Sequence, residues 1–273
     1  MNILNKITAH KKKEVEERIK LFPNALLEKS IFFQTDTVSL KKYLLRNDKS
    51  GIIAEFKKRS PSKGAINAFA DIEKVSISYM QAGASALSVL TDTHFFGGKN
   101  EDLSQARKFN YCPILRKDFV IDEYQILEAK SIGADAVLLI AECLTQEELK
   151  KLASLAKSLK MEVLMEVHSL EQLAKLNAHI DVVGINNRDL STFQVDINTS
   201  LELAEAIPEE FLKISESGIS DAQSIVKLKE SGFQGFLIGE HFMTAADPGK
   251  KCLKFIQEIE NLEKNKSLIS TKV

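Results

Sequence analysis

The chain has 273 residues, 44% of them apolar and 27% charged, and a formal net charge of −1. These totals suit a globular protein with a sizeable core and exclude a disordered one, while near-neutrality offers no global field for nucleic acid or an anionic membrane. Three cysteines, Cys112, Cys143 and Cys252, with no CxxC pair, argue against a disulfide framework or a zinc knuckle. No run approaches the roughly 20 apolar residues of a membrane span, and the first residues lack the apolar core of a signal peptide, so a soluble cytoplasmic protein is expected.

Residues 1–50 stand outside the repeat that follows. They read as helices near 2–20 and 36–46 laid against one end of the body. The basic triplet Lys11–Lys13, set among Glu14, Glu16 and Glu17, reads as a solvated helix face. From residue 51 onward, short β-type runs alternate with longer helical patterns: GIIAEF, ALSVL, PILRKDF, DAVLLI, MEVLMEV, DVVGIN, FLKISE and GFLIG. Nearly continuous apolar runs are expected of parallel strands covered on both faces. The segments between them, such as DIEKVSISYMQAG, IDEYQILEAKSIG, TQEELKKLASLAKSLK and SDAQSIVKLKESG, repeat apolar residues every three or four positions. Gly83, Gly133 and Gly232 punctuate their ends, as at helix C-termini. Strand–helix units of roughly 20 to 35 residues match a (β/α)8 TIM barrel, which takes about 250 residues. The expected organisation is one domain, with an N-terminal helical extension over residues 1–50 and the barrel over residues 51–273. A doubly wound open sheet is the alternative.

A barrel of this kind works at the C-terminal ends of its strands. Alternation puts Glu55 and Lys57 on one face of the first strand, and the same parity sets Lys117 with Leu115, Glu166 with Leu164, Asn186 with Gly184 and Glu216 with Ile214. Each alone suits a surface position, whereas together they would repel or stay unsatisfied unless they pair or serve a ligand. After the last two strands, SESGI and LIGEH put Ser217, Gly218 and Gly239 where barrels commonly hold phosphate, although plain turns use the same residues. The basic loop KKRSPSKGAINAF reads either as a lid over an anionic substrate or as an exposed loop. Phe95 and Phe96 of TDTHFFGG either stack on a planar ring or fill core. His94, His168 and His241 lack metal-ligand spacing, and no nucleotide-binding glycine motif is present, so neither a metal nor a nucleotide cofactor is expected.

In combination and order, ILNKITAHKKKEVEERI, IAEFKKRSPSKG, VLTDTHFFGG, ILRKDFVIDEYQI, GINNRDLSTF, SESGIS and LIGE resemble the indole-3-glycerol phosphate synthase family of tryptophan biosynthesis, across essentially the whole chain. The resemblance implies a cofactor-free (β/α)8 lyase acting on a small anionic substrate. That substrate, 1-(2-carboxyphenylamino)-1-deoxyribulose 5-phosphate, becomes indole-3-glycerol phosphate with loss of carbon dioxide and water. The resemblance also implies that Lys117 of the KDF motif is the general acid for ring closure and that Glu55 and Lys57 form the strand-one pair, with Lys57 near the substrate carboxylate. Glu166 is implied as the acid/base group of the dehydration. Asn186 and Arg188 would orient the substrate, Glu216 and Ser217 would touch it from strand seven, and Phe96 and Phe119 would wall the aromatic ring. Ser60, Gly218, Gly239 and Glu240 fall on anion-binding positions. Two residues depart from the pattern: Glu240 stands where some members have serine, and Arg116 precedes the lysine where an apolar residue is expected, or an arginine in some members.

Two other readings compete. A Schiff-base aldolase also suits a strand-end lysine beside a phosphate site, and a noncatalytic phospho-sugar-binding barrel would need only the binding loops. A monomer is expected, with a homodimer as the alternative.

Overall fold

A computed structural model describes residues 3–189 and 192–270. The apolar runs become eight parallel strands: β1 (Ile52–Phe56), β2 (Ala86–Leu90), β3 (Ile114–Lys117), β4 (Ala136–Ile140), β5 (Glu162–Val167), β6 (Val182–Asn186), β7 (Leu212–Glu216) and β8 (Gly235–Ile238). Each pairs with its neighbours in chain order, and β8 returns to β1, so the sheet closes into a barrel and the open-sheet alternative falls. The helices, in chain order, are α1 (Ile3–Leu21), α2 (Asn24–Leu27), α3 (Leu40–Leu44), α4 (Ile72–Gln81), α5 (Asn100–Phe109), α6 (Glu123–Ser131), α7 (Gln146–Ser158), α8 (Asn198–Ala204), α9 (Ala222–Glu230), α10 (Glu240–Met243) and α11 (Pro248–Ser270).

The strands are apolar on both faces because each face meets a different core. Ile52, Ala54, Phe56, Leu87 and Val89 point outward into the layer shared with helix residues such as Tyr79, Leu103, Ile126 and Leu149. Ile53, Leu115, Leu138, Leu164, Ile214 and Leu237 point inward and fill the barrel. Burying each such side chain is worth about 1.5–3 kcal/mol. Local signals agree with this packing: Asp122 with Gln125, and Thr145 with Glu148, form capping boxes at the starts of α6 and α7. Gly83, Gly133 and Gly232 take left-handed φ just beyond α4, α6 and α9.

The first 50 residues pack on both ends of the barrel rather than on one. Leu4 and Ile7 of α1 join the inner core at the C-terminal mouth, whereas Leu40 and Leu44 of α3 join it from below, with Leu44 beside Gly235 at the start of β8. The expected 36–46 helix is confined to Leu40–Leu44. The Thr37 hydroxyl donates instead to the carbonyl of Lys160, and the Val38 N–H donates to Asp135. Residue 2, where the first helix was expected to begin, lies outside the described residues. Two further features escaped the periodicity: a 3-10 stretch, Leu170–Lys175, connects β5 to β6, and the loop after β1 carries a small hairpin of Arg59–Ser60 against Gly64–Ala65.

Candidate active site

Alternation along the strands delivers the expected side chains to one cavity at the C-terminal mouth. Glu55, Lys57, Lys117, Glu166, Asn186 and Glu216 all line it. At its centre the Lys117 ammonium lies 2.7 Å from Glu166 Oε2 and 2.8 Å from Glu216 Oε2. Burial by itself would strip the charge from Lys117, but the nearby Glu166 and Glu216 carboxylates outweigh it and raise the pKa above that of a free lysine.

One cation cannot satisfy two buried carboxylates equally, and the two glutamates diverge. Burial pushes both upward. For Glu166 this is overcome by Lys117, by His168 and by the Asn186 side-chain amide, which donates to Oε1 at 3.1 Å, so Glu166 is held below its ordinary range. For Glu216 burial wins over Lys117, reinforced by the Glu166 charge, and the pKa rises. Among the described residues, Glu216 Oε1 has no hydrogen-bond partner. Glu216 is thus the carboxyl that more readily keeps a proton. It fits only because residue 184 is glycine, where a Cβ would stand 2.2 Å from Glu216 Oε1.

A second ion pair, Lys57 Nζ to Glu55 Oε1 at 2.8 Å, sits beside the first. Phe96 and Phe119 form an apolar wall with ring centroids 5.9 Å apart, and Ile3, Leu4 and Ile7 of α1 close over the same cavity. Sequence reasoning missed this contribution of α1.

An adjoining cavity is lined by Ser217, Gly218, Gly239 and Glu240 together with Ser62, Lys63 and Arg188. Ser217 is one of few non-glycine residues with positive φ, at 67°, and Gly218 follows at 75°. Such backbone costs about 1–3 kcal/mol and persists where its surroundings hold it. Here the Asn187 amide donates to Ser217 O at 3.1 Å and to Ser215 Oγ at 2.9 Å, while the Ser200 hydroxyl donates to Asn187 Oδ1 at 2.7 Å. Turns that bring successive backbone N–H groups together build anion-binding concavities. Arg188 and Lys63 flank Glu240 at 3.4 and 3.7 Å, so that carboxylate rests among the cations of the pocket. Ser60 lines the first cavity rather than this one, beneath Ser62, whose hydroxyl is 3.3 Å away.

Arg116 finds its partners below the mouth, in Glu128 at 2.5 Å, Asp118 at 3.2 Å and the Thr91 hydroxyl at 3.0 Å. His168 lies 3.6 Å from Glu166 Oε1. No group of three or more His, Cys, Asp or Glu side chains among the described residues is arranged to hold a metal ion.

A charged lysine caged by carboxylates, beside a pocket of cations and strained backbone, equips a (β/α)8 barrel for acid–base chemistry on a phosphorylated compound. The match to known proteins narrows that class. A family model described as indole-3-glycerol phosphate synthase matches residues 4–255. The protein of that name from Bacteroides thetaiotaomicron is 48% identical over 259 residues, covering 95% of this chain and 99% of its own. The one from Campylobacter jejuni is 43% identical over 253 residues, covering 91% of this chain and 97% of its own. Among solved structures, 3-hexulose-6-phosphate synthase from Salmonella typhimurium shares the fold with a TM-score of 0.60 at 14% identity, over 77% of this chain and 99% of that one.

The chain belongs to the indole-3-glycerol phosphate synthase family. It is a carboxy-lyase of tryptophan biosynthesis that closes the indole ring of indole-3-glycerol phosphate with loss of carbon dioxide and water.

Proposed function

We propose a division of labour within this reaction, carried by the caged ammonium of Lys117. The substrate's aromatic ring lies against Phe96 and Phe119, and its phosphate occupies the cavity of Ser217, Gly218 and Gly239, with Arg188 and Asn186 fixing the chain between. Lys117, kept charged chiefly by Glu166, protonates the ketone oxygen as the carboxylate-bearing ring carbon attacks, and it stabilises the negative charge developing there. Lys57, steadied by Glu55, faces the substrate carboxylate. When carbon dioxide leaves, the bonding electron pair stays in the ring. In the dehydration Glu166 takes the proton from carbon and Lys57 supplies one to the departing hydroxyl.

The raised pKa of Lys117 also weighs against the aldolase reading, since a Schiff-base lysine must shed its proton to attack a carbonyl. Chemical quenching of a Glu166→Gln variant tests the assignment. Accumulation of a ring-closed, decarboxylated but still hydroxylated intermediate supports it, whereas unreacted substrate alone contradicts it.

We further read the enzyme as cytoplasmic and monomeric, a single domain whose residues 1–50 serve as an extension of the barrel. Free thiols at Cys112, Cys143 and Cys252 support a reducing compartment. No helix among the described residues is long and apolar enough to cross a membrane. Light scattering at working concentration separates monomer from homodimer.

A further inference from the structure

The basic triplet of α1 is not uniformly solvated. Lys12 and Lys13 are exposed, but Lys11 is fully buried, with its ammonium 2.9 Å from Asp92 Oδ2, 3.0 Å from Asp118 Oδ1 and 3.0 Å from Glu14. Burial would favour the neutral amine, but the surrounding Asp118, Asp92 and Glu14 carboxylates override it and raise the pKa.

The two aspartates it bridges each hold one aromatic wall of the active-site cavity. Asp92 Oδ1 accepts from the backbone N–H groups of Phe95 and Phe96 at 2.7 and 3.1 Å. Asp118 Oδ1 accepts from the Phe119 N–H at 2.8 Å, and Asp118 directly follows Lys117. On the same helix, Leu4 and Ile7 cover that cavity, and His10 stacks on His94 with ring centroids 4.3 Å apart.

We propose that Lys11 is a positioning residue for the reaction, tying α1 to Asp92 and Asp118 so that Phe96, Phe119, Leu4 and Ile7 form one fixed slot for the aromatic end of the substrate. This rests on the placement of the ring between Phe96 and Phe119. A purely structural ion cluster would support both ends of the site alike, whereas a slot-setting residue acts on the ring and leaves the phosphate loops, built on β7 and β8, untouched.

The test compares Lys11→Met with wild type and with Lys12→Met in two assays: kcat/KM for the substrate, and the inhibition constant of inorganic phosphate as a probe of the other pocket. A misplacement of about 1 Å can cost about 100-fold, so kcat/KM should fall roughly 10- to 100-fold in Lys11→Met while phosphate inhibition and Lys12→Met stay at the wild-type level. Lys11→Met leaves a buried carboxylate without its cation. If that variant does not fold, Lys11→Met/Asp92→Asn removes one stranded charge and should show the same split. A folded variant with wild-type kcat/KM, or one in which phosphate inhibition weakens in parallel with kcat/KM, overturns the proposal. Absence of turnover by wild-type protein would instead refute the functional assignment, which keeps the two failures apart.

Discussion

Replacing Lys117 with methionine keeps much of the side-chain length and removes both the proton and the charge. In the folded protein this strands Glu166 and Glu216, which are 2% and 1% exposed and now face each other without their shared cation. Breaking a buried pair from one side costs about 3–5 kcal/mol, and here the loss is reduced because one carboxyl can take up a proton. Loss of a positioned general acid costs about 10²- to 10⁴-fold in rate, and loss of charge stabilisation at the developing alkoxide adds to it. Arg188, Lys63 and the phosphate loops remain, so the affinity for inorganic phosphate should be nearly unchanged. Steady-state kinetics on Lys117→Met and on Lys117→Met/Glu216→Gln separate folding from chemistry: the double variant should recover stability and remain inactive. A folded Lys117→Met enzyme with near-normal kcat would refute the acid role, and one that loses only binding would make Lys117 an anchor.

Glu216, pushed up to about 7 by burial, is uncharged in the folded state over a range where the unfolded chain is already ionised. Its stabilising contribution is therefore complete below the ordinary glutamate range and is lost as pH rises toward 7, by an amount on the order of 3 kcal/mol. Denaturant unfolding should show Glu216→Gln gaining stability relative to wild type between pH 4.5 and 8; a pH-independent difference would reject the shifted carboxyl. Gly218 has φ of 75°, and a Cβ there would stand 2.1 Å from Val195 Cγ1. Gly218→Ala should accordingly weaken phosphate inhibition by about 10- to 100-fold with a smaller change in kcat, and unaltered inhibition would remove this glycine from the phosphate site. EDTA should leave activity unchanged; inactivation reversed by a divalent ion would contradict that.

The barrel and the polar set at its mouth were legible because alternation in a two-faced strand is rigid. Once Leu115 and Ile214 face inward, Lys117 and Glu216 must follow. Lys11 is buried where the sequence suggests a solvated face: it falls on the stripe Leu4, Ile7, Lys11, Val15 that α1 buries, yet its charge and its basic neighbours suggest solvent. The aspartates that make its burial tolerable come from loops after β2 and β3, and contacts across such separations leave no trace in local periodicity. Ser60, assigned to an anion site by motif, lies in a loop folded into a small hairpin that turns it toward the first cavity, a placement local periodicity does not show. The Ser217–Gly218 turn reads as phosphate-binding from its residues alone, while the Asn187–Ser200–Ser215 network beneath it joins polar residues of three separate segments and leaves no local signal.

In the proposed mechanism this mouth closes an indole ring by acid–base chemistry with its own side chains. Incubating the purified protein with 1-(2-carboxyphenylamino)-1-deoxyribulose 5-phosphate, with borohydride added to a parallel sample, tests it most directly. Indole-3-glycerol phosphate and carbon dioxide should form in equal amounts, with no covalent adduct trapped at Lys57 or Lys117. Substrate binding without product, or a borohydride-trapped adduct at either lysine, would contradict it.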